Sequence, residues 1–323
     1  MERRKLTGLR PQTYEHPLDA STLNALQNTR GLETLVRKCN QWGFERLLRV
    51  QLTGSYLRVT PDSFAEVHDQ VRAACEILDL PAAPEVYIAN AGGINAFTAG
   101  VHQPLVVLSS DAIDRLSEDE LFFVIAHELG HIKSGHILYY QIAEFLPVIG
   151  EIVGSATFGV GELVGVGLQI ALLKWKRMSE LTADRAGLLA CQDVAPAIST
   201  MMKLAGLPNK FYDSINTEDF IAQAREFEAL DAEKLNWLAK WFSSAEQTHP
   251  WTVLRANQFL TWVDSGEYQA VVTGRHDAWI PQVTAATCFC TQCGHGLGGV
   301  EAFCPGCGLR LTEPPAAPAG APS

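Results

Sequence analysis

His127, Glu128 and His131 stand in the order H-E-x-x-H at the end of an apolar run that begins at Leu121. On an α-helix, residues four apart lie one above the other on the same face. Both imidazoles can therefore direct a ring nitrogen at a single metal ion. Glu128 is displaced around the helix and reaches past such an ion toward a bound water. Two ligands, an open coordination position and a nearby base are what metal-assisted hydrolysis requires. The competing reading is a surface helix that happens to carry His and Glu. The lead-in Leu121-Phe-Phe-Val-Ile-Ala126 speaks against it, because ionisable groups inside a buried helix are costly unless they have partners.

Two histidines leave a catalytic zinc one protein ligand short. A third histidine in the longer pattern H-E-x-x-H-x-x-G-x-x-H would need glycine at 134 and histidine at 137. The chain has Ser134, Gly135, His136 and Ile137, so both landmarks miss by one. On a continuous helix His136 also points away from the His127/His131 face, and it is expected to be structural or solvent-facing. The other source is a carboxylate on a later helix, and Glu180 with Asp184 four residues on fits that need. Glu180 would face the metal while Asp184 accepts the free N–H of a ligand histidine, fixing its tautomer and raising its basicity. A solvated carboxylate pair is the ordinary alternative. Here the pair follows an apolar excursion that returns the chain toward the motif helix.

These residues carry a resemblance. His127-Glu-Leu-Gly-His131 with Glu180-Leu-Thr-Ala-Asp184-Arg-Ala-Gly187 resembles the HtpX-like zinc metallopeptidases, gluzincins related to the CaaX prenyl endopeptidases. Asn95-Ala-Phe97 is similar to the family's Asn-Ala-Phe segment on the edge strand that pairs with substrate. Thr248-His249-Pro250, followed by Arg255, is similar to its late His-Pro…Arg element. The likeness runs from Leu80 to Phe259, and the chain departs from the integral membrane members in showing no N-terminal spanning helices.

The resemblance implies a zinc endopeptidase, with a role in protein quality control. One catalytic zinc would be held by His127, His131 and Glu180, with Asp184 behind a ligand histidine. Glu128 would take a proton from water and deliver it to the leaving amine. His249 would contact the zinc or the developing oxyanion, or simply cap the helix before Pro250. Asn95, Ala96, Phe97 and Arg255 are the candidate substrate contacts, an extended peptide adding as a strand along 95–98. The alternative is a non-catalytic polypeptide-binding or adaptor protein on the same fold, which would have no need of Glu128.

A second constellation lies near the C-terminus. Cys290-Thr-Gln-Cys293 and Cys304-Pro-Gly-Cys307 are two C-x-x-C knuckles whose four thiolates can complete a tetrahedral site, with glycines between them for the tight turns. This resembles a short zinc ribbon with one structural zinc; iron in a rubredoxin-like site has the same ligands. Disulfides fit poorly with a chain that is not secreted. Cys288 is a spare thiol and His295 a bystander, and the ribbon is suited to recruiting a partner protein or substrate. Cys39, Cys75 and Cys191 are expected to be small core residues.

The elements that must position these groups read as an α+β chain, mainly helical. A zincin-like domain has a small sheet beside the active-site helix, and a ribbon follows. A helix is expected over 21–42, then strands at 47–52 and 56–60 about Gly54. Thr60-Pro61 should open a helix carrying Phe64, Val67, Val71, Ala74, Cys75 and Leu78 at helical spacing. Strands are expected at 85–88 and 104–109, with Gly92 and Gly93 permitting close backbone approach. Ser117 and Glu120 form a capping box for a helix over 118–140. Further helices are expected at 175–192, 195–206, 217–230, 232–243 and 250–264. This divides the chain into an extension (1–60), a peptidase domain (61–275), a ribbon (285–311) and a disordered tail (312–323).

The segment 145–173 is strongly apolar and glycine-rich, yet contains Glu151 and Glu162. It reads as a buried helical hairpin inserted in the peptidase domain, with peripheral membrane contact as the alternative. The 323 residues carry a net charge of −11, which argues against general nucleic-acid affinity. The basic N-terminus is not followed by the apolar core of a secretory signal, so a cytoplasmic location is expected, with association at the inner face of the membrane as its variant. The partners expected are protein or peptide substrates.

Overall fold

The computed structural model describes residues 3–27, 32, 44–143, 160–214, 216–231 and 252–275, with short strands at 288–289 and 296–297. The elements are α1 (Pro17–Gln27), α2 (Phe44–Ser55), β1 (Leu57–Arg58), α3 (Ala65–Ile77), β2 (Glu85–Ala89), β3 (Ala96–Ala99), β4 (Leu105–Ser109), α4 (Ser110–Arg115) and α5 (Glu118–Lys133). They continue with α6 (137–143), α7 (Val160–Cys191), α8 (Val194–Leu204), α9 (Thr217–Asp231), α10 (Thr252–Asp264) and α11 (Glu267–Val272). The chain is a mainly helical α+β protein with one small four-stranded sheet, as the sequence led us to expect.

The sheet has the order β1-β2-β4-β3. β2 and β4 run parallel; β1 pairs with β2 and β3 with β4 antiparallel. All five residues of β4 are buried, because both faces of the sheet are covered. Val86, Ile88, Val106 and Leu108 face the main core with α3 and α5. Tyr87, Ala89, Leu105 and Val107 face the other way and pack under Leu48 and Leu52 of α2. β3 is left at the edge.

α5 begins as expected, with both halves of the capping box formed: the Ser117 side chain accepts from the Glu120 amide and Glu120 Oε2 accepts from the Ser117 amide at 2.7 Å. Glu120 is further anchored to Lys203 of α8 at 2.6 Å. α5 then lies tightly against α7. A Cβ on Gly130 would stand 2.6 Å from Ala186 Cβ, and one on Gly187 would stand 2.8 Å from the Phe123 ring. Each helix thus uses a missing side chain to admit the other.

Several expectations are corrected. Residues 44–55 are one helix, not a strand about Gly54. Leu48 and Leu52, four apart, face the sheet, while Leu47 and Val50 are exposed; so short an apolar run is compatible with either period. Thr60 does not cap a helix. Its hydroxyl and carbonyl accept from Ser63 N–H in a local turn, and α3 starts only at Ala65 after Phe64 in the left-handed region. Gly92 and Gly93 are needed for their positive φ, 64° and 78°, and not for close approach, since an added Cβ would meet nothing within 4 Å. The motif helix stops at Lys133 and does not run to 140, because Gly135 takes φ 72°.

The apolar segment and the Glu180 helix are likewise not separate where they are described. Residues from Val160 onward belong to the single helix α7; 144–159 lie outside the described residues. Leu138, Tyr139, Ile142, Leu168, Leu172 and Trp175 form a second core with Leu26 and Leu32. Among the described residues no helix is long and apolar enough to cross a membrane. Leu6, Leu9 and Tyr14 are part of the main core. The expected helix at 232–243, His249 and the tail lie outside the described residues. So do Cys290, Cys293, Cys304 and Cys307; the flanking pairs Cys288–Phe289 and Gly296–Leu297 form an antiparallel ladder.

Candidate metal centre

α5 and α7 bring three ligand-type residues together, all buried: His127, His131 and Glu180. The two Nε2 atoms lie 3.2 Å apart. His127 Nε2 is 3.5 Å from Glu180 Oε2, and His131 Nε2 is 3.5 Å from Glu180 Oε1. Tetrahedral coordination with zinc–ligand bonds of about 2.0–2.1 Å places neighbouring ligand atoms about 3.3–3.4 Å apart. The three side chains therefore already have the spacing of one face of such a site. Glu180 Oε2 is buried and has no hydrogen-bond partner, the Arg255 guanidinium 3.3 Å away meeting it through charge alone, so its lone pairs are open to a metal ion. This donor set fits zinc.

The groups behind the ligands are equally ordered. Asp184 Oδ1 sits 3.0 Å from His127 Nδ1. Arg255 of α10 donates to both Asp184 oxygens, at 2.7 and 2.5 Å, and its third nitrogen lies 3.3 Å from Glu180 Oε2. Tyr140 of α6 donates to Glu180 Oε1 at 2.5 Å. Burial opposes charge on Asp184 and Glu180, but Arg255 for the first and the two histidines for the second hold both carboxyls below the usual range. Burial likewise opposes a proton on His127, but Asp184 and Glu180 outweigh it and push the pKa up to about 9. A metal must displace that proton to bind. On His131 burial prevails and the pKa falls to about 4.

Glu128 is buried and lines a cleft with Ile94, Asn95, Val124, Leu204 and Arg255. Burial raises its carboxyl above the ordinary value against the pull of His127 and of a hydrogen bond from Thr98. Such a shift brings a carboxylate toward the range useful to a general base. Thr98 belongs to edge strand β3, whose donation to Glu128 Oε2 spans 2.5 Å. Its neighbour Phe97, pointing to the opposite face, is exposed. Asn95 joins the end of β3 to β4 through an exchange with Ser109, 2.9 Å in each direction.

Asn95, Ala96, His127, Glu128, Glu180 and Arg255 thus line one cleft, with His131 beside Glu180 and Asp184 behind His127. Arg255 is spent on Asp184 and Glu180, so its first task is holding those carboxylates. His136, expected to be structural or solvent-facing, is buried and lies with Nδ1 2.9 Å from His131 Nδ1. Thr98 and Tyr140 were not singled out by the sequence. Nothing in their types or spacing marks them, since each meets the site only through the fold.

Residues 61–263 match the model of a family described as Peptidase family M48. The chain is similar to the plastoglobule-localized metallopeptidase 48 of Arabidopsis thaliana, 30% identical over 262 residues, covering 80% of this chain and 74% of that protein. It is also similar to protease HtpX homolog 2 of Methanosarcina acetivorans, 27% identical over 203 residues, 56% of this chain and 65% of the relative. A protease HtpX homolog of Helicobacter acinonychis is 29% identical over 187 residues, 51% and 60% of the two chains. No solved structure matches.

Proposed function

The chain belongs to peptidase family M48, whose model covers residues 61–263, and we propose that this metallopeptidase is a zinc-dependent endopeptidase with Glu128 as its general base. The observation that carries the reading is the convergence of His127, His131 and Glu180 at coordination spacing beside a buried Glu128 that lines the same cleft. A zinc ion bound there supplies Lewis-acid polarisation of a carbonyl and lowers the pKa of water. Glu128 accepts a proton from the attacking water and hands it to the leaving amine nitrogen. Asp184 and Arg255 keep His127 and Glu180 oriented while charge moves between them. His249, outside the described residues, is by resemblance a candidate contact for the zinc or the developing oxyanion, with a helix-capping role before Pro250 as its alternative.

The proposed substrate is unfolded or locally extended polypeptide, in a quality-control role. β3 is an edge strand among the described residues, and pairing with it requires a chain in extended conformation. Ala96 and Phe97 then bear on alternate substrate side chains. The doubled C-x-x-C spacing supports a second, structural zinc at Cys290, Cys293, Cys304 and Cys307.

The test is cleavage of unfolded casein by wild type and Glu128→Gln, with metal content measured on both. Glu128→Gln should lose cleavage and keep its zinc. Preserved cleavage would sink the assignment. Wild type should hold about two zinc ions per chain and Glu180→Ala about one, if both sites are zinc sites.

A further inference from the structure

His127 has a carboxylate directly behind it, whereas His131 has another imidazole. His131 Nδ1 lies 2.9 Å from His136 Nδ1, and His136 Nε2 lies 3.2 Å from Asp19 Oδ2. Thr182 of α7 donates to the same Asp19 oxygen at 2.6 Å, and its own hydroxyl oxygen accepts from the His16 amide at 3.0 Å. The line is sealed from water: His131 is 4% exposed, His136 1% and Asp19 0%. Asp19 belongs to α1, outside the 61–263 region that matches the family model.

We infer that His136 and Asp19 are positioning residues for the metal centre, fixing His131 in the tautomer whose Nε2 lone pair faces Glu180 and His127. The inference rests on the metal reading of the site. An ionised carboxylate only accepts, so His136 carries its proton on Nε2 and donates it to Asp19. In its neutral form His136 has one N–H, so with that proton on Nε2 its Nδ1 is an acceptor. It receives the proton of His131 Nδ1, and His131 Nε2 is left with a lone pair for a metal. Reversing any one of these bonds would put a proton on His131 Nε2 and block ligation.

The helix break makes the relay possible. On a continuous helix, residue 136 would stand about 140° around the axis from residue 131. With Gly135 at φ 72° the chain folds under the helix end, and the His136 amide donates to the His131 carbonyl at 3.0 Å. The His136 ring is thereby returned to the unoccupied side of His131. α1 then lies across α7 and supplies the terminal carboxylate.

The experiment measures zinc affinity by chelator competition on the full chain, with thermal unfolding of each metal-free variant alongside. His136→Leu should weaken zinc binding about 10–100-fold, the range expected when a ligand loses its outer partner. In His136→Asn the side-chain oxygen stands near the place of Nδ1 and can still accept from His131, so it should recover most of that loss. Asp19→Ala should weaken binding in wild type and add little in the His136→Leu background, since the two act in series. Nitrogen-15 spectra of the metal-free wild type should show His131 protonated on Nδ1. Wild-type affinity in His136→Leu, equal loss in the Leu and Asn variants, or His131 protonated on Nε2 overturns the inference. Equal zinc content in wild type and Glu180→Ala would instead overturn the metal reading beneath it, whatever the His136 and Asp19 variants do.

Discussion

The Thr98 hydroxyl, on the edge strand, donates to Glu128 Oε2 at 2.5 Å, and so ties the proposed substrate-pairing element to the proposed base. The bond favours the ionised carboxylate against the burial that opposes it. It also sets the direction in which the carboxylate points. A base held within hydrogen-bond reach of water acts only if its orientation is maintained by its neighbours.

Thr98→Val, which keeps shape and removes the hydroxyl, should lower kcat/KM for casein cleavage about tenfold, in keeping with the loss of one charge-assisted hydrogen bond. Thr98→Ser should retain most activity. Metal content should be unchanged in both, because neither variant touches a ligand. Equal activity of Thr98→Val and wild type would show that Glu128 is oriented without the strand.

How the site came to be legible, and where it did not, follows from distance along the chain. His127/His131 and Glu180/Asp184 could be paired because helical spacing turns four residues of sequence into one face of a helix. Asp19 and His136 belong to the same network but are 117 positions apart, and nothing local couples them. The position of His136 does have a local signal: Lys133-Ser134-Gly135 is the cation-then-glycine ending of a helix, and only a helix continued to 140 would turn His136 away from His131. The sheet was partly visible, through the apolar runs at 85–89 and 105–109. α2 is ambiguous in sequence because Leu48, Val50 and Leu52 satisfy a period of two while Leu48 and Leu52 also satisfy a contact at i, i+4.

Gly130 occupies a variable position of H-E-x-x-H, yet the fold allows little there. In an ordinary helix interior Gly→Ala gains roughly 1 kcal/mol. Here the new methyl would lie 2.6 Å from Ala186 Cβ and 3.3 Å from Ala183 Cα, neither of which can rotate away. α5 and α7 must part, which moves the histidines away from Glu180. Gly130→Ala should therefore lose about 1–3 kcal/mol in urea unfolding, as overpacking does, and should bind zinc more weakly. Adding Ala186→Gly removes the opposing methyl and should restore a large part of both. A Gly130→Ala protein as stable as wild type would mean that the helix contact is looser than these distances describe.

His16 gives the protein a pH dependence that can be isolated. Its Nε2 donates to Gln258 Oε1 at 3.0 Å while its Nδ1 accepts from the Leu18 amide at 3.2 Å, a pattern only the neutral ring can complete. Burial, reinforced by the charge of Arg185 and opposed by Asp19 and Asp184, lowers its pKa to about 4. Above the ordinary value of 6.5 the ring is neutral folded and unfolded, and pH has no effect through it. Below 6.5 the unfolded chain takes up the proton first, so stability falls as pH drops and stops falling near pH 4. Between pH 7.5 and 5 that amounts to about 2 kcal/mol. Asn at position 16 can accept from Leu18 in the manner of a helix cap and does not titrate. In urea unfolding of the chelator-treated protein, wild type should thus lose about 2 kcal/mol more than His16→Asn over this interval. The same slope in both proteins would place the acid sensitivity on other buried groups.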